Sequence, residues 1–309
     1  MKKKKKIDFL GIGAQKSGTT WLYYQLKEIP EFDLPPIKEF HYFDRSPTYL
    51  SPNKLSETLL IKRIKRKKYL SRTIKTIRFY IKRQNWKLSK FYFKWYLSNY
   101  SDHWYLSLFD GFEGYTGEIS PGYSILEEED IKRMYRLIPD AKLILILRNP
   151  IDRAWSHFRF MKRKAGPLAA KNVDDKTIID FLESERQILR SNYIRIIDRY
   201  SNIFPKDQIL ICFYDAIVHS PDELLSEITK FISGEFSIPV SQSELTKVFN
   251  KSKEIDCPES IENYLKDKYH SQIKLLAEKY GGYFNKWYEE TYGEKSTNEN
   301  RELLPTMRL

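Results

Sequence analysis

Short apolar runs alternate with stretches of helical periodicity along most of this chain, and the alternation predicts its fold class. The clearest run, Lys142 to Leu147, has the length and aliphatic content of a buried strand. The other predicted strands are Ile7–Ile12, Tyr115–Ile119 and Gln208–Phe213, and the predicted helices cover 19–27, 124–137, 178–200, 221–232 and 258–280. Strands alternating with helices indicate an α/β fold, a parallel sheet with helices on both faces. In such sheets, ligands bind beyond the carboxyl ends of the strands.

One long segment departs from this alternation. In residues 46–110, apolar side chains recur at spacings of three, four and seven, which predicts an amphipathic helix or a pair of helices. The residues that carry the pattern are Leu70, Ile74, Ile77, Ile81, Leu88, Tyr92 and Trp95. We interpret 46–110 as a helical insertion within a single domain that covers residues 1–309, and we expect a disordered tail over 295–309.

The formal net charge of +12 is concentrated in this same segment. Residues 61–100 contain 14 Lys or Arg and no Asp or Glu, so the other 269 residues together carry about −2. Self-repulsion among so many like charges is unfavourable. Two interpretations stay open: a solvated cationic face, or a surface that recruits a polyanionic glycan or an anionic membrane.

The ends and the cysteines of the chain bear on its location. No apolar run approaches the roughly 20 residues of a membrane span. The basic start, Met1–Lys6, is similar to the start of a signal peptide, but Asp8 follows it and the next residues belong to a predicted strand. Cys212 and Cys257 provide no disulfide framework. These features predict a cytoplasmic protein.

The loop from Gly13 to Gly18 joins the first predicted strand to the first predicted helix. Glycines let the backbone approach a ligand, and the N–H groups at a helix N-terminus favour an anion. Lys16 adds a positive charge, and Thr19 and Thr20 add hydroxyl donors. The nucleoside-triphosphate P-loop requires Lys directly after its second Gly. Here Thr19 occupies that place, and Lys16 lies inside the loop.

Two further segments carry candidate chemistry. Arg148 follows the buried strand where Asn149 and Pro150 are typical of a helix start, so its guanidinium is placed to bind a phosphate, with Ser156 two turns further on. In Lys38–Asp44 a carboxylate, Glu39, is flanked by a Lys and a His. Such a carboxylate can act as general base toward an acceptor hydroxyl.

These motifs resemble those of sulfotransferases that use 3′-phosphoadenosine 5′-phosphosulfate (PAPS). Lys16–Leu22 resembles their 5′-phosphosulfate loop, and Leu147–His157 resembles their 3′-phosphate motif. Lys38–Asp44 is similar to the Lys-Glu-x-His-Phe-Phe-Asp segment of the heparan sulfate type. The sequence departs from the family at Gln15, where Pro is usual, and at Ile119, where Lys is usual. The resemblance implies a P-loop-like three-layer fold.

The resemblance also implies roles for individual residues. Glu39 would be the general base, with His41 as runner-up, and Lys16 would neutralise charge on the leaving phosphate. The implied donor-binding residues are Gln15, Lys16, Ser17, Gly18, Thr19, Thr20, Trp21, Arg148, Ser156, Tyr193, Lys251, Ser252 and Lys253. The implied acceptor-binding residues are Lys38, His41, Asp44, Glu118 and Tyr123. Members of the family need no metal, and the sequence shows no zinc-like spacing.

We therefore expect an enzyme that transfers a sulfuryl group from PAPS to a hydroxyl or amine of a glycan, glycolipid or other acceptor, releasing 3′-phosphoadenosine 5′-phosphate. Two alternatives from other classes remain at this point. One is a P-loop nucleotide kinase, which the displaced Lys16 disfavours. The other is a basic protein that binds nucleic acid or membranes and keeps a vestigial nucleotide fold. It would explain residues 61–100 but would leave Glu39 and Arg148 without a role, and we expect no specific nucleic-acid partner.

Overall fold

The computed structural model describes residues 7–166, 173–234 and 256–309. Within these residues one five-stranded sheet has the order β2-β1-β3-β4-β5. Its strands are β1 (Phe9–Gly13), β2 (Gly117–Ile119), β3 (Lys142–Leu147), β4 (Ile209–Phe213) and β5 (Thr306–Arg308). The first four strands pair in parallel, as the sequence predicts, and β5 is antiparallel to β4.

The prediction of a disordered tail over 295–309 is wrong. Thr306 to Arg308 pair with Leu210 to Cys212 of β4. An unpaired edge of β4 would expose a row of N–H and C=O groups, and the tail covers that edge. Since the pairing depends on a strand almost a hundred residues away, the local composition of the tail did not reveal it.

Helices fill the connections between strands. They are α1 (Thr19–Glu28), α2 (Leu60–Ile64), α3 (Lys67–Lys82), α4 (Trp86–Leu97), α5 (Asp102–Ser107), α6 (Glu128–Leu137), α7 (Pro150–Ala165), α8 (Asp175–Leu182), α9 (Glu185–Ser191), α10 (Tyr193–Ser201), α11 (Tyr214–His219), α12 (Pro221–Ser233), α13 (Glu259–Tyr280) and α14 (Tyr283–Tyr292). The helix predicted over 124–137 begins only at Glu128, after a 3-10 turn over Pro121–Ile125. The helix predicted over 178–200 is divided among α8, α9 and α10.

The side chains of β3 show how the sheet holds two helical layers. Leu143, Leu145 and Leu147 belong to the core cluster that includes residues of α7, α10, α13 and α14. Ile144 and Ile146 point to the other face and pack with residues of α1 and α12. Each such aliphatic side chain contributes about 1.5–3 kcal/mol when fully buried. The predicted three-layer arrangement is thereby confirmed.

Residues 46–110 are largely helical, as predicted, and α3 and α4 form an antiparallel hairpin. The ring of Tyr80 stacks on that of Tyr92, with centroids 4.9 Å apart. The two ends of the hairpin meet, because Leu60 N donates to Asn99 Oδ1 at 2.7 Å and Tyr100 N donates to Thr58 O at 3.0 Å. The hairpin is therefore a closed unit that leaves and rejoins the body of the protein at one place.

Candidate active site

The loop between β1 and α1 lies at the carboxyl end of the sheet, as expected. Gly18 has a φ of +91°, and a Cβ there would lie 2.3 Å from Ile217 Cδ1, so only glycine fits. Ser17 Oγ and Gln15 Oε1 are buried and have no hydrogen-bond partner among the described residues. Buried polar atoms are nearly always paired in folded proteins. The orphaned atoms therefore indicate that the loop is built to receive a polar ligand.

Lys16 lies inside a group of cations. Its Nζ is 4.5 Å from the centroid of the Phe160 ring. Burial, and after it the neighbouring positive charges, lower the pKa of Lys16 to about 8. Those charges belong to Arg163, Arg148, Arg159 and Lys38. An anion placed among these groups would relieve their mutual repulsion, so the region is an electrostatic site for phosphate or sulfate.

Arg148 follows β3 directly, at the predicted position. Its guanidinium carbon lies 4.4 Å from the centroid of the Tyr214 ring, and its side chain is 18% exposed. Its Nε is buried and makes no hydrogen bond within the described residues, since Asp152 Oδ2 is 3.8 Å away. The Tyr214 ring supports the guanidinium on one side, and Nε keeps a hydrogen bond to offer to a ligand.

The start of α7 forms as the sequence predicts. The Asn149 side chain accepts a hydrogen bond from Ile151 N at 3.0 Å, and Pro150 is the first helical residue. Ser156 lies two turns further along and is buried. The other predicted donor-binding residues Lys251, Ser252 and Lys253 lie outside the described residues.

Two of the predicted donor-binding residues, the aromatics Trp21 and Tyr193, are core residues in this structure. Trp21 is buried among the residues between α1 and the sheet. Tyr193 is fully buried, and its hydroxyl donates to the backbone oxygen of Arg148 at 2.7 Å. This bond holds the backbone of Arg148, so Tyr193 supports the guanidinium whether or not it also contacts a nucleotide.

One side chain, Lys38, links the predicted general base to the first turn of α1, directly after the loop from Gly13 to Gly18 (the anion loop). Lys38 Nζ lies 2.9 Å from Glu39 Oε1 and donates to the hydroxyls of Thr19 at 3.2 Å and Thr20 at 3.3 Å. Burial lowers the pKa of Lys38, while the neighbouring Glu39 raises it. Glu39 is therefore fixed beside the first turn of α1, with its side chain 40% exposed.

The other oxygen of Glu39 contacts His41, and His41 contacts Asp44. The two distances are 3.1 Å, from Glu39 Oε2 to His41 Nε2, and 2.8 Å, from His41 Nδ1 to Asp44 Oδ2. Burial lowers the pKa of His41, but the hydrogen bonds to Asp44 and Glu39 outweigh it and raise the pKa to about 9. Burial raises the pKa of Glu39, but its contacts with His41 and Lys38 bring it down to about 2. At neutral pH the pair is thus an imidazolium and a carboxylate.

Glu118 and Tyr123 lie behind the segment that holds Glu39. Glu118 is buried and accepts hydrogen bonds from Phe40 N at 2.9 Å, Ser120 Oγ at 2.6 Å, Tyr105 OH at 2.9 Å and Tyr123 OH at 2.8 Å. Burial raises the pKa of Glu118 to about 7, although these bonds oppose the rise. Both side chains are buried and hydrogen-bonded to protein groups, so they brace the segment that holds Glu39. Their contact with an acceptor stays a prediction.

Several residues of the cleft around Lys16, Glu39 and Arg148 were not identified from the sequence. Arg159 and Arg163 lie on α7, and their positive charges lower the pKa of Lys16. Their spacing of three and seven from Ser156 places them on the same face of the helix, and that spacing could have identified them. Tyr214 follows β4 directly, at the carboxyl end where ligands bind, and could have been found by the same argument.

Within the ranges that the structure describes, no three His, Cys, Asp or Glu side chains are gathered to hold a metal ion. The expectation that no metal takes part stays a prediction. In the same part of the chain, no helix is both long and apolar enough to cross a membrane.

Comparison with known proteins identifies the family. Residues 9–237 match the model of the sulfotransferase family. The chain is 26% identical over 148 residues to heparan sulfate glucosamine 3-O-sulfotransferase 5 of Mus musculus, covering 46% of this chain and 41% of that protein. It is 28% identical over 109 residues to bifunctional heparan sulfate N-deacetylase/N-sulfotransferase 1 of Xenopus tropicalis, covering 33% of this chain and 12% of that protein. The chain therefore matches less than half the length of each relative.

The fold agrees with this match. The crystal structure of a sulfotransferase from Alicyclobacillus acidocaldarius superposes with a TM-score of 0.56 at 20% identity, covering 88% of this chain and 94% of that one. The predicted P-loop-like fold is confirmed. The family match includes the anion loop, the Glu39 segment and Arg148, and it favours a sulfotransferase over the kinase and the non-enzymatic alternatives. This chain belongs to the sulfotransferase family.

Proposed function

We propose that this enzyme transfers a sulfuryl group from PAPS to a hydroxyl of a glycan-type acceptor, with Glu39 as general base. The observation that carries the proposal is the position of Lys38. Its ammonium contacts both Glu39 and the hydroxyls of Thr19 and Thr20. One side chain thus joins the loop that would hold the donor to the carboxylate that would receive the acceptor proton.

The cleft has the chemistry that PAPS requires. In this proposal Lys16 and the loop around Ser17 bind the 5′-phosphosulfate, and Arg148 with Ser156 on α7 binds the 3′-phosphate. Ser17 Oγ and Arg148 Nε, one in each site, are buried without a partner among the described residues. Two separate phosphate sites favour a nucleotide that carries a 3′-phosphate, which ATP lacks. PAPS supplies an activated sulfuryl group on its 5′-phosphate.

Side chains of the protein would stabilise the charge that develops on the leaving phosphate and would accept one proton from the acceptor. The bond between sulfur and the bridging phosphate oxygen breaks while the acceptor oxygen forms a new bond to sulfur. Lys16, Thr19 and Thr20 would stabilise the negative charge on the departing phosphate. Glu39 would take the proton of the acceptor hydroxyl, and 3′-phosphoadenosine 5′-phosphate would leave. Positioning and charge stabilisation supply most of the rate, by analogy with phosphoryl transfer.

The protonation states favour Glu39 over His41 as the base. A His41 whose pKa is about 9 is protonated at neutral pH and has no lone pair to accept a proton. Glu39 is ionised there because its pKa is about 2. His41 then orients the carboxylate and is itself held by the buried Asp44.

The acceptor class rests on the relatives and on the exposure of Glu39. Both curated relatives are heparan sulfate enzymes by name, and one is an O-sulfotransferase and the other an N-sulfotransferase. The side chain of Glu39 is 40% exposed, so an acceptor as bulky as a sugar can approach it. These observations support a glycan or glycolipid acceptor.

The test is incubation with radiolabelled PAPS and a panel of acceptors: polysaccharides with hydroxyls only, polysaccharides with free amines, glycolipids and phenols. We expect label on hydroxyl-bearing glycans or glycolipids. Label on amines alone would replace O-transfer by N-transfer, and label on phenols alone would overturn the glycan assignment. In parallel, 3′-phosphoadenosine 5′-phosphate should raise the melting temperature more than ATP with Mg²⁺ does. Equal stabilisation would overturn the donor assignment.

A further inference from the structure

The outer surface of α3 carries features that the transfer reaction does not use. Leu70, Ile74 and Ile81 are 40%, 47% and 45% exposed. Successive helical residues are rotated by about 100°, so these three form one stripe along the helix. A different face packs on α4, where the rings of Tyr69 and Tyr80 contact those of Tyr96 and Tyr92. An exposed apolar stripe beside cations is a candidate surface for binding another molecule.

Cations border the apolar stripe. The exposed positive residues of α3 and its C-terminal cap are Lys67, Lys68, Arg72, Lys75, Arg78, Lys82 and Arg83. None of these seven forms an ion pair with another described residue. By contrast, Lys87 and Lys94 of α4 pair with Asp33 and Asp110. The helix thus has three faces: one packed, one apolar and exposed, and one cationic.

We propose that α3 binds the surface of an anionic lipid bilayer. Helices that lie in a membrane interface combine an apolar face with Lys and Arg on the adjoining face. Lipid headgroups of negative charge attract each nearby Lys or Arg, and residues 61–100 contain no acid to repel them. A polyanionic glycan would use the cations but would leave the aliphatic stripe in water. The exposed Leu and Ile residues therefore favour the bilayer.

The hairpin is also connected to the cleft. Phe91 and Trp95 of α4 pack on the ring of Phe40, with centroids 6.2 and 5.3 Å away. Phe40 lies between Glu39 and His41 in the sequence. A bilayer bound to α3 would hold this segment close to lipid-linked acceptors. This last consequence rests on the proposed function, whereas vesicle binding does not, so the two can fail separately.

The experiment compares two double variants of the full chain. Ile74→Gln/Lys75→Gln removes one apolar and one cationic side chain from α3. Lys274→Gln/Leu275→Gln is the matched control on α13, since Ile74 and Leu275 are both 47% exposed. Binding is measured by cosedimentation with vesicles of phosphatidylcholine, with and without phosphatidylglycerol. Melting temperatures check that both variants fold.

We expect the unmodified chain and the α13 variant to bind the anionic vesicles and not the neutral ones. The α3 variant should bind roughly 10²-fold more weakly, from the loss of one inserted aliphatic side chain and one charge. If the α3 variant melts early, Leu70→Gln/Ile81→Gln replaces it. Equal binding by the α3 and α13 variants would overturn the proposal. So would an α3-dependent interaction with heparin or with a second copy of the chain in the absence of vesicle binding.

Discussion

The cleft and the α3–α4 hairpin both concentrate positive charge, but they hold it in different ways. In the cleft, Lys16 is buried among other cations, and burial and like charge lower its pKa to about 8. On the hairpin, the cations of α3 are exposed and spread along a helix of 16 residues. A few buried charges at fixed positions suit one defined anion, whereas exposed charges spread along a helix suit an extended surface.

Net charge alone therefore does not indicate function. The sequence places 14 of the positive residues in 61–100, yet the residues proposed for chemistry lie outside that segment. Burial makes the smaller group chemically specific, because charges interact more strongly and are screened less away from water. The predictions below separate the two regions, beginning with the largest effect.

Glu39→Gln should have the largest effect, and only on turnover. The amide keeps the shape of the side chain but cannot accept the proton, so turnover should fall by roughly 10²–10⁴-fold. Binding of 3′-phosphoadenosine 5′-phosphate, measured by calorimetry, should change little. Glu31→Gln, an exposed residue shortly before Lys38, is the control. Near-normal turnover in Glu39→Gln together with loss in His41→Ala would assign the base to His41.

Arg148→Ala should weaken binding of the donor nucleotide and leave vesicle binding by the α3–α4 hairpin unchanged. Loss of charge-assisted hydrogen bonds to a phosphate corresponds to roughly 10–10²-fold in affinity. Calorimetry with 3′-phosphoadenosine 5′-phosphate should show this loss, while the weaker binding of ATP changes less. Arg136→Ala on α6 serves as the exposed control. If the affinities for both nucleotides fall equally, Arg148 does not bind the 3′-phosphate specifically.

The donor affinity should depend on pH through Lys16. Because the pKa of Lys16 is lowered to about 8, its charge is present below pH 8 and is lost as the pH rises through that value. The dissociation constant of 3′-phosphoadenosine 5′-phosphate should then increase, approaching about tenfold per pH unit above 8. In Lys16→Arg the charge persists, so the curve should be flat. A steep curve in Lys16→Arg would assign the titration to another group.

The smallest effect on the donor is expected from the hairpin. Replacing Lys65, Arg66, Lys67 and Lys68 with Gln should change the KM for PAPS less than about twofold, because exposed charges are screened beyond roughly 10 Å at 0.1 M salt. The KM for an acceptor presented on anionic vesicles should rise, and its salt dependence should flatten. Steady-state kinetics at two salt concentrations measures both. A raised KM for PAPS would show that the charges of the hairpin influence donor binding in the cleft.

Local signals in the sequence identified the parts of the site that local structure creates. The glycine loop before α1 and the Arg148–Asn149–Pro150 junction depend on a strand, a turn and a helix start that adjoin in sequence. Both formed where the residues predicted them. The role of Glu118 could not be deduced in this way. Its hydrogen-bond donors come from Tyr105, Ser120, Tyr123 and the backbone of Phe40, and only the folded chain brings Phe40 to it.

The other features that the sequence did not predict depend on packing between distant elements. The tail strand β5 forms on the edge of β4, and Phe284 and Trp287 of α14 pack on the ring of Phe213. Gly122 makes another contact between distant residues, in this case within the site. A Cβ at Gly122 would lie 2.3 Å from Asp44 Oδ2, so this glycine makes room for the His41–Asp44 pair. Its sequence neighbours gave no indication of that contact.

The meeting of the two ends of the hairpin has a consequence for protein engineering. Leu60 N is joined to the Asn99 side chain and Tyr100 N to Thr58 O, so residues 60–99 can be exchanged as a cassette between two anchor points that already touch. The inner face of α4, Phe91 and Trp95, would have to be retained to cover Phe40. A chimaera made under that condition would carry an unchanged reaction centre to a different surface, and targeting and catalysis could be redesigned one at a time.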